Sequence, residues 1–173
     1  MKLVRSTLIL AALAAAALTA CGQSETANAV VPLEIGQGTS CALDGMLLAD
    51  YPGPKAQIHY AGQAEPDFFC DTVEMFHLYL KPEQVRAVRG LFVQDMGKAD
   101  WEQPRDHWID AKRAFYVHGS KRHGSMGPTI ASFALEQDAA KFAAEYGGKV
   151  YRFADVTPDM VVLDGGALHD SNM

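Results

Sequence analysis

The chain has 173 residues, with 15 basic against 21 acidic side chains and a formal net charge of −6. An acidic chain offers no cationic footprint for phosphate backbones, which excludes nucleic acid as a partner. The length suffices for one medium domain or two small ones.

Residues 1–20 place Lys2 and Arg5 before an apolar run over 8–18 and then small residues, the order of a secretory signal. The run is too short to span a bilayer stably. Its end, Leu18-Thr19-Ala20-Cys21-Gly22, matches the bacterial lipobox, which implies export, cleavage before Cys21 and lipidation of that cysteine. Cleavage removes Lys2 and Arg5 and takes the net charge from −6 to −8. So acidic a chain is poorly suited to anionic lipid, and acyl chains on Cys21 are the expected anchor. Gly22, where inner-membrane lipoproteins carry Asp, points to the periplasmic side of the outer membrane. Residues 21–38 are polar and aperiodic, and read as a lipidated flexible tether.

The folded part reads as α+β, in two similar ββαβ halves. The first spans 39–98. Residues 55–60 alternate apolar and polar, the period of a half-buried strand. A second short strand passes through Phe68 and Phe69. A helix then starts at Asp71 or Thr72, with Val73, Phe76, His77 and Leu80 at the spacing of an apolar stripe. Pro82 closes it, and a third strand covers 88–95. Residues 99–107 read as a linker. The second unit, 108–163, repeats the order: a strand over 113–118, a glycine-rich loop over 119–127, a strand over 129–133, a helix over 136–146 ended by Gly147-Gly148, and a strand over 149–153. Residues 164–173 read as a frayed tail.

The chemistry lies in the sulfurs. Cys41 and Cys70 remain once Cys21 is lipidated, and in an oxidising compartment they form either a disulfide or a soft-metal site. Cys70 follows two phenylalanines, which favours a buried structural thiol. Met126 sits in a polar loop, 121–128, where an exposed thioether has no packing role and is open to oxidation. A soft-metal ligand explains it better. Met46 lies five positions after Cys41, with Gly45 free to reverse the chain. A thiolate with thioethers suits Cu(I), whereas Zn(II) takes four donors, usually without Met. His123 shares the Met126 loop and is a further candidate. Met96 ranks below these. His77 reads as a core histidine, and His59 lies on a polar strand face. No motif of a hydrolase, zinc protease or phosphate loop is present.

Cys41, Gly45-Met46, then residues 51–57 (YPGPKAQ), 93–98 (VQDMGK), 108–111 (WIDA) and 124–127 (GSMG) together resemble the NosL family over about 39–163. In this chain Ala42-Leu43-Asp44 stands between the cysteine and Gly-Met, which are adjacent in many members. The resemblance implies a Cu(I)-binding periplasmic lipoprotein, not an enzyme. It further implies a metallochaperone supplying copper for the copper–sulfide centre of nitrous oxide reductase, together with an ABC-type maturation complex. The implied fold is two ββαβ halves like the organomercurial lyase core, and the implied metal residues are Cys41, Met46 and Met126, with His123. The alternative is a non-metal scaffold lipoprotein stapled by a Cys41–Cys70 disulfide. A carbon–metal lyase is disfavoured, because no spacing implies that two thiols and an acid converge.

Overall fold

The structure, a computed structural model, describes residues 30–163. The signal, Cys21 and the tail from 164 lie outside the described residues. The first half contains β1 (Ala56–Tyr60), β2 (Asp67–Phe69), the helix α1 (Thr72–Tyr79), β3 (Val88–Gln94) and β4 (Trp108–Asp110). The second contains β5 (Phe115–His118), a small hairpin of β6 (His123–Gly124) and β7 (Gly127–Pro128), then β8 (Ala131–Phe133), the helix α2 (Glu136–Tyr146) and β9 (Lys149–Arg152). The sheets run β2-β1-β3-β4 and β8-β5-β9, with antiparallel pairing throughout. In each half the first strand lies between the second and the strand after the helix. The two ββαβ units read from element order therefore share one topology, and the α+β architecture in two similar halves is observed.

Three expectations change. First, β1 is buried on both faces: Ala56, Ile58 and Tyr60 enter the core, while Lys55 and Gln57 are also fully buried. Second, the cover on that other face comes from the segment expected to be a tether. Leu33 N–H donates to Gln57 Oε1 at 2.9 Å, and Gln57 Nε2 donates to Leu33 O at 2.9 Å. Ile35 is buried, and Glu34 Oε2 accepts from Asp106 N–H and Trp108 Nε1. The tether reading of 21–38 therefore fails at residues 33–35, because a buried glutamine amide needs partners that water cannot reach. Third, the 99–107 linker is packed. Trp101 is buried, its carbonyl accepts from Gly53 N–H at 2.8 Å, and its indole stacks on Phe142 with centroids 5.3 Å apart. β4 pairs with β3 through Val93 and Ile109, so residue 108 belongs to the first sheet and not to the second unit.

α1 starts with a capping box. Asp71 Oδ1 accepts from Val73 N–H at 2.9 Å, and Glu74 Oε2 accepts from Asp71 N–H at 3.3 Å. The face it buries is turned from the one expected: Thr72, Glu74, Met75 and Phe76 are buried, while Val73, His77 and Leu80 are half-buried. The reason is that this short helix is wedged between the sheet and the C-terminal 3-10 turn Pro158–Val161. His77 Nδ1 donates to Val161 O at 3.0 Å. One core crosses both halves: Phe76 of α1 meets Tyr116 of β5 edge-on at 5.0 Å and Phe153 at 5.2 Å.

Candidate metal centre

Cys41 opens a tight loop. Its N–H donates to Met46 O at 2.8 Å, its carbonyl accepts from Gly45 N–H at 2.9 Å, and Ser40 bridges Leu47. The reversal needs the left-handed backbone of Gly45, φ +80°. The loop is tied to β2, where Ala42 N–H donates to Phe68 O at 2.7 Å. That bond carries Cys41 to the end of β2, two residues before Cys70. The sulfurs of Cys41 and Cys70 and a carboxylate oxygen of Asp44 all lie within 4.8 Å of one another. Both thiols are buried and free; Asp44 is exposed. The arrangement is a dithiol closed from below and reached past Asp44.

Glu74 forms its floor. Cys41 Sγ lies 3.2 Å from Glu74 Oε2, and the two share a proton. The other oxygen, Oε1, is buried with no hydrogen-bond partner. Burial and the neighbouring Cys41 charge push the Glu74 carboxyl up to about 9. The two cysteines diverge. A hydrogen bond from Cys70 brings Cys41 down to about 6 against its burial, with N–H groups of the loop adding to the effect. The same hydrogen bond, together with burial, pushes Cys70 far above the usual thiol range. Cys41 is thus the thiolate and Cys70 the thiol that supports it. The two sulfurs and the Asp44 carboxylate oxygen are a donor set that fits a metal ion, with Glu74, whose Oε1 has no hydrogen-bond partner, against Cys41.

The other candidates from the sequence fall around this point. Met46 is half-buried and packs against the core at the end of the Cys41 loop. Met126 is 42% exposed, in the turn between β6 and β7, and His123 is exposed on β6. His123 is not among the His, Cys, Asp and Glu donors that converge on the dithiol. The hairpin bearing both residues is nonetheless fastened to the residue after Cys70. Thr129 Oγ1 donates to Asp71 Oδ1 at 2.6 Å, and any Cβ on Gly124 would collide with Asp71 Oδ2. Gly53, φ +81°, presses on Gly124 from the other side. Met96 packs in the second core with Trp101 and Phe133, away from the dithiol cluster. His59 Nε2 pairs with Gln57 Oε1 at 2.8 Å.

Sequence reasoning ranked Cys70 as structural and missed Asp44 and Glu74. Asp71 and Glu74 do stand at capping-box spacing, so the helix start was readable; that Glu74 turns toward a thiol was not. Two thiols and an acid do converge, contrary to the expectation drawn from spacing.

The NosL family model matches residues 32–161. The copper-binding lipoprotein NosL of Stutzerimonas stutzeri is 38% identical over 169 residues, covering 94% of this chain and 87% of that protein. The copper-binding lipoprotein NosL of Achromobacter cycloclastes is 39% identical, covering 89% and 81%. The crystal structure of the copper chaperone NosL from Shewanella denitrificans superposes with a TM-score of 0.71 at 38% identity, covering 76% of this chain and 98% of that one.

Proposed function

The chain belongs to the NosL family, and from that premise we propose that it binds copper as Cu(I) and passes it to a partner outside the cytoplasm. The observation that carries this reading is the meeting of Cys41 and Cys70, from separate segments, within 4.8 Å at the mouth of an exposed loop. A soft monovalent ion is satisfied by two or three sulfur donors. The two thiols supply two. The thioethers of Met46, at the end of the same loop, and of Met126, on the hairpin anchored beside Cys70, are the further donors, with His123 next to Met126. Glu74, whose carboxyl is raised to about 9, holds the proton beside Cys41 and leaves that sulfur as the thiolate that meets the ion. Such a site hands over its ion by ligand exchange: a soft donor of the partner enters from the Asp44 side before a thiol lets go.

The lipobox supports anchoring through Cys21, on the periplasmic side of the outer membrane. The family resemblance supports nitrous oxide reductase as the recipient, with the ABC-type maturation complex. The chaperone role is binding and transfer, without catalysis. The stapled-scaffold reading requires a Cys41–Cys70 disulfide, and a count of free thiols in protein taken from the periplasm separates the two readings: none would favour the staple, two the copper site. A carbon–metal lyase draws on the same two thiols and acid, and differs in predicting hydrocarbon release from an organomercurial, which a carrier does not produce.

Competition of the reduced chain with a chromophoric Cu(I) chelator tests the assignment. One ion per chain is expected, with thiolate-to-copper absorption, and weaker binding in Cys41→Ala, Cys70→Ala and Met126→Ala. Undiminished affinity in both cysteine variants would overturn it.

A further inference from the structure

The β6–β7 hairpin that carries His123 and Met126 pairs at two positions, His123 with Pro128 and Gly124 with Gly127. Two strands of that length do not keep their place in water alone. The hairpin is therefore positioned by what fastens its two arms. The outgoing arm is tied to the start of α1 through Thr129 and Asp71. The incoming arm is tied to Trp101, whose indole Nε1–H donates to His123 O at 3.0 Å. Pro128, opposite His123, has no N–H to offer that carbonyl. Trp101 is itself fixed from several sides. Asp100 Oδ1 accepts from the N–H groups of Glu102 and Gln103, which sets the local turn. Gly53 N–H holds the Trp101 carbonyl at 2.8 Å, and Phe142 stacks on the ring. The Arg122 guanidinium lies over the same ring at 4.6 Å, held by Tyr146 Oη at 3.2 Å and Glu102 Oε1 at 3.1 Å. A buried indole N–H needs an acceptor, and the one it takes is the backbone three residues before Met126.

We propose that Trp101 is a positioning residue: its indole N–H, through His123 O, keeps the Met126 thioether in reach of the dithiol and so sets the preference of the site for Cu(I) over Zn(II). This rests on the copper reading above, with Met126 as a donor. Without that N–H the tie from residue 101 to residue 123 is gone, and the turn bearing Met126 is held chiefly from the Thr129 side. A soft monovalent ion gains from a thioether, whereas Zn(II) is served by thiolates and carboxylates. Cys41, Cys70 and Asp44 supply those without the hairpin. A displaced hairpin therefore costs Cu(I) and spares Zn(II), which a general loss of structure would not do.

The test compares the reduced full chain with Trp101→Phe, Trp101→Tyr, Met126→Ala and the Trp101→Phe/Met126→Ala double variant, using Cu(I) and Zn(II) as probes in chelator competition. Phenylalanine keeps a ring against Phe142 and Arg122 and removes the N–H; tyrosine is the second variant without that donor. Trp101→Phe and Trp101→Tyr are each expected to weaken Cu(I) about ten-fold, the lower end of what losing the support of a ligand costs. Zn(II) affinity stays at the wild-type value. In the Met126→Ala background Trp101→Phe brings no further loss, and copper-edge absorption of Trp101→Phe lacks the same sulfur scatterer as Met126→Ala. Wild-type Cu(I) affinity in both Trp101 variants, equal losses for the two ions, losses that add in the double variant, or wild-type affinity in Met126→Ala would each overturn the proposal. Failure of Cys41→Ala and Cys70→Ala to weaken Cu(I) would instead overturn the copper reading beneath it.

Discussion

Cys41 and Cys70 are the same side chain in opposite electrostatic positions, and the difference is measurable. Cys41, held down to about 6 by the Cys70 hydrogen bond, is expected to be alkylated with a rate midpoint near pH 6. Cys70→Ala removes the donor, and the midpoint climbs toward the ordinary thiol value of 9.0. An unchanged midpoint would mean the two sulfurs do not communicate. Glu74 makes a stability prediction. Its carboxyl is raised from 4.5 to about 9 in the folded chain. The folded state therefore holds a proton that the unfolded state has lost, and stability falls as pH rises between those values. Glu74→Gln keeps the capping acceptor and removes the titration. Relative to wild type it should gain about 1–2 kcal/mol at pH 9, roughly 2–8 °C in melting temperature, and little at pH 4.5. The opposite ordering in thermal melts would contradict the burial argument.

At the scale of elements, the β6–β7 hairpin is the part whose placement matters most for Met126. Its seat is steric as well as hydrogen-bonded: Gly124 fits against Asp71 and Thr129 only because it has no Cβ, and Gly53 fits against Gly124 for the same reason. Gly124→Ala must lift the hairpin off the start of α1. The expected result is weaker Cu(I) binding in a chelator competition, alongside a destabilisation of about 1–3 kcal/mol from overpacking. Wild-type copper affinity in a destabilised but folded Gly124→Ala chain would remove Met126 from the site. The strands and both helices were legible because periodicity and caps are local signals. The docking of residues 33–35 was not legible. It depends on a buried Gln57 amide seeking partners across 24 residues of separation, and nothing in a polar stretch announces that. The turned face of α1 was missed for a related reason: an eight-residue helix takes its orientation from what packs on it.

Across the whole molecule, the two similar halves are not independent. Phe76 of the first half lies between Tyr116 and Phe153 of the second, and Val156 and Val161 close the same core. Phe76→Ala should cost about 3–5 kcal/mol and lower a single calorimetric transition. Two resolved transitions would show halves that fold apart. The repeat itself was visible as element order, whereas the boundary at 108 was misplaced because β4 completes the first sheet with strand residues that carry no mark of which half they join. The site was half legible. Thiol and thioether chemistry pointed to Cys41, Met46 and Met126, while the convergence of Cys70 with Cys41 required β2 to run antiparallel to β1 and deliver its end to the loop. That convergence is the centre of the account. Copper-edge X-ray absorption of the Cu(I)-loaded chain tests it most directly. The account predicts a first shell dominated by sulfur that loses a scatterer in Cys70→Ala; a shell of nitrogen and oxygen, or one indifferent to residue 70, would contradict it.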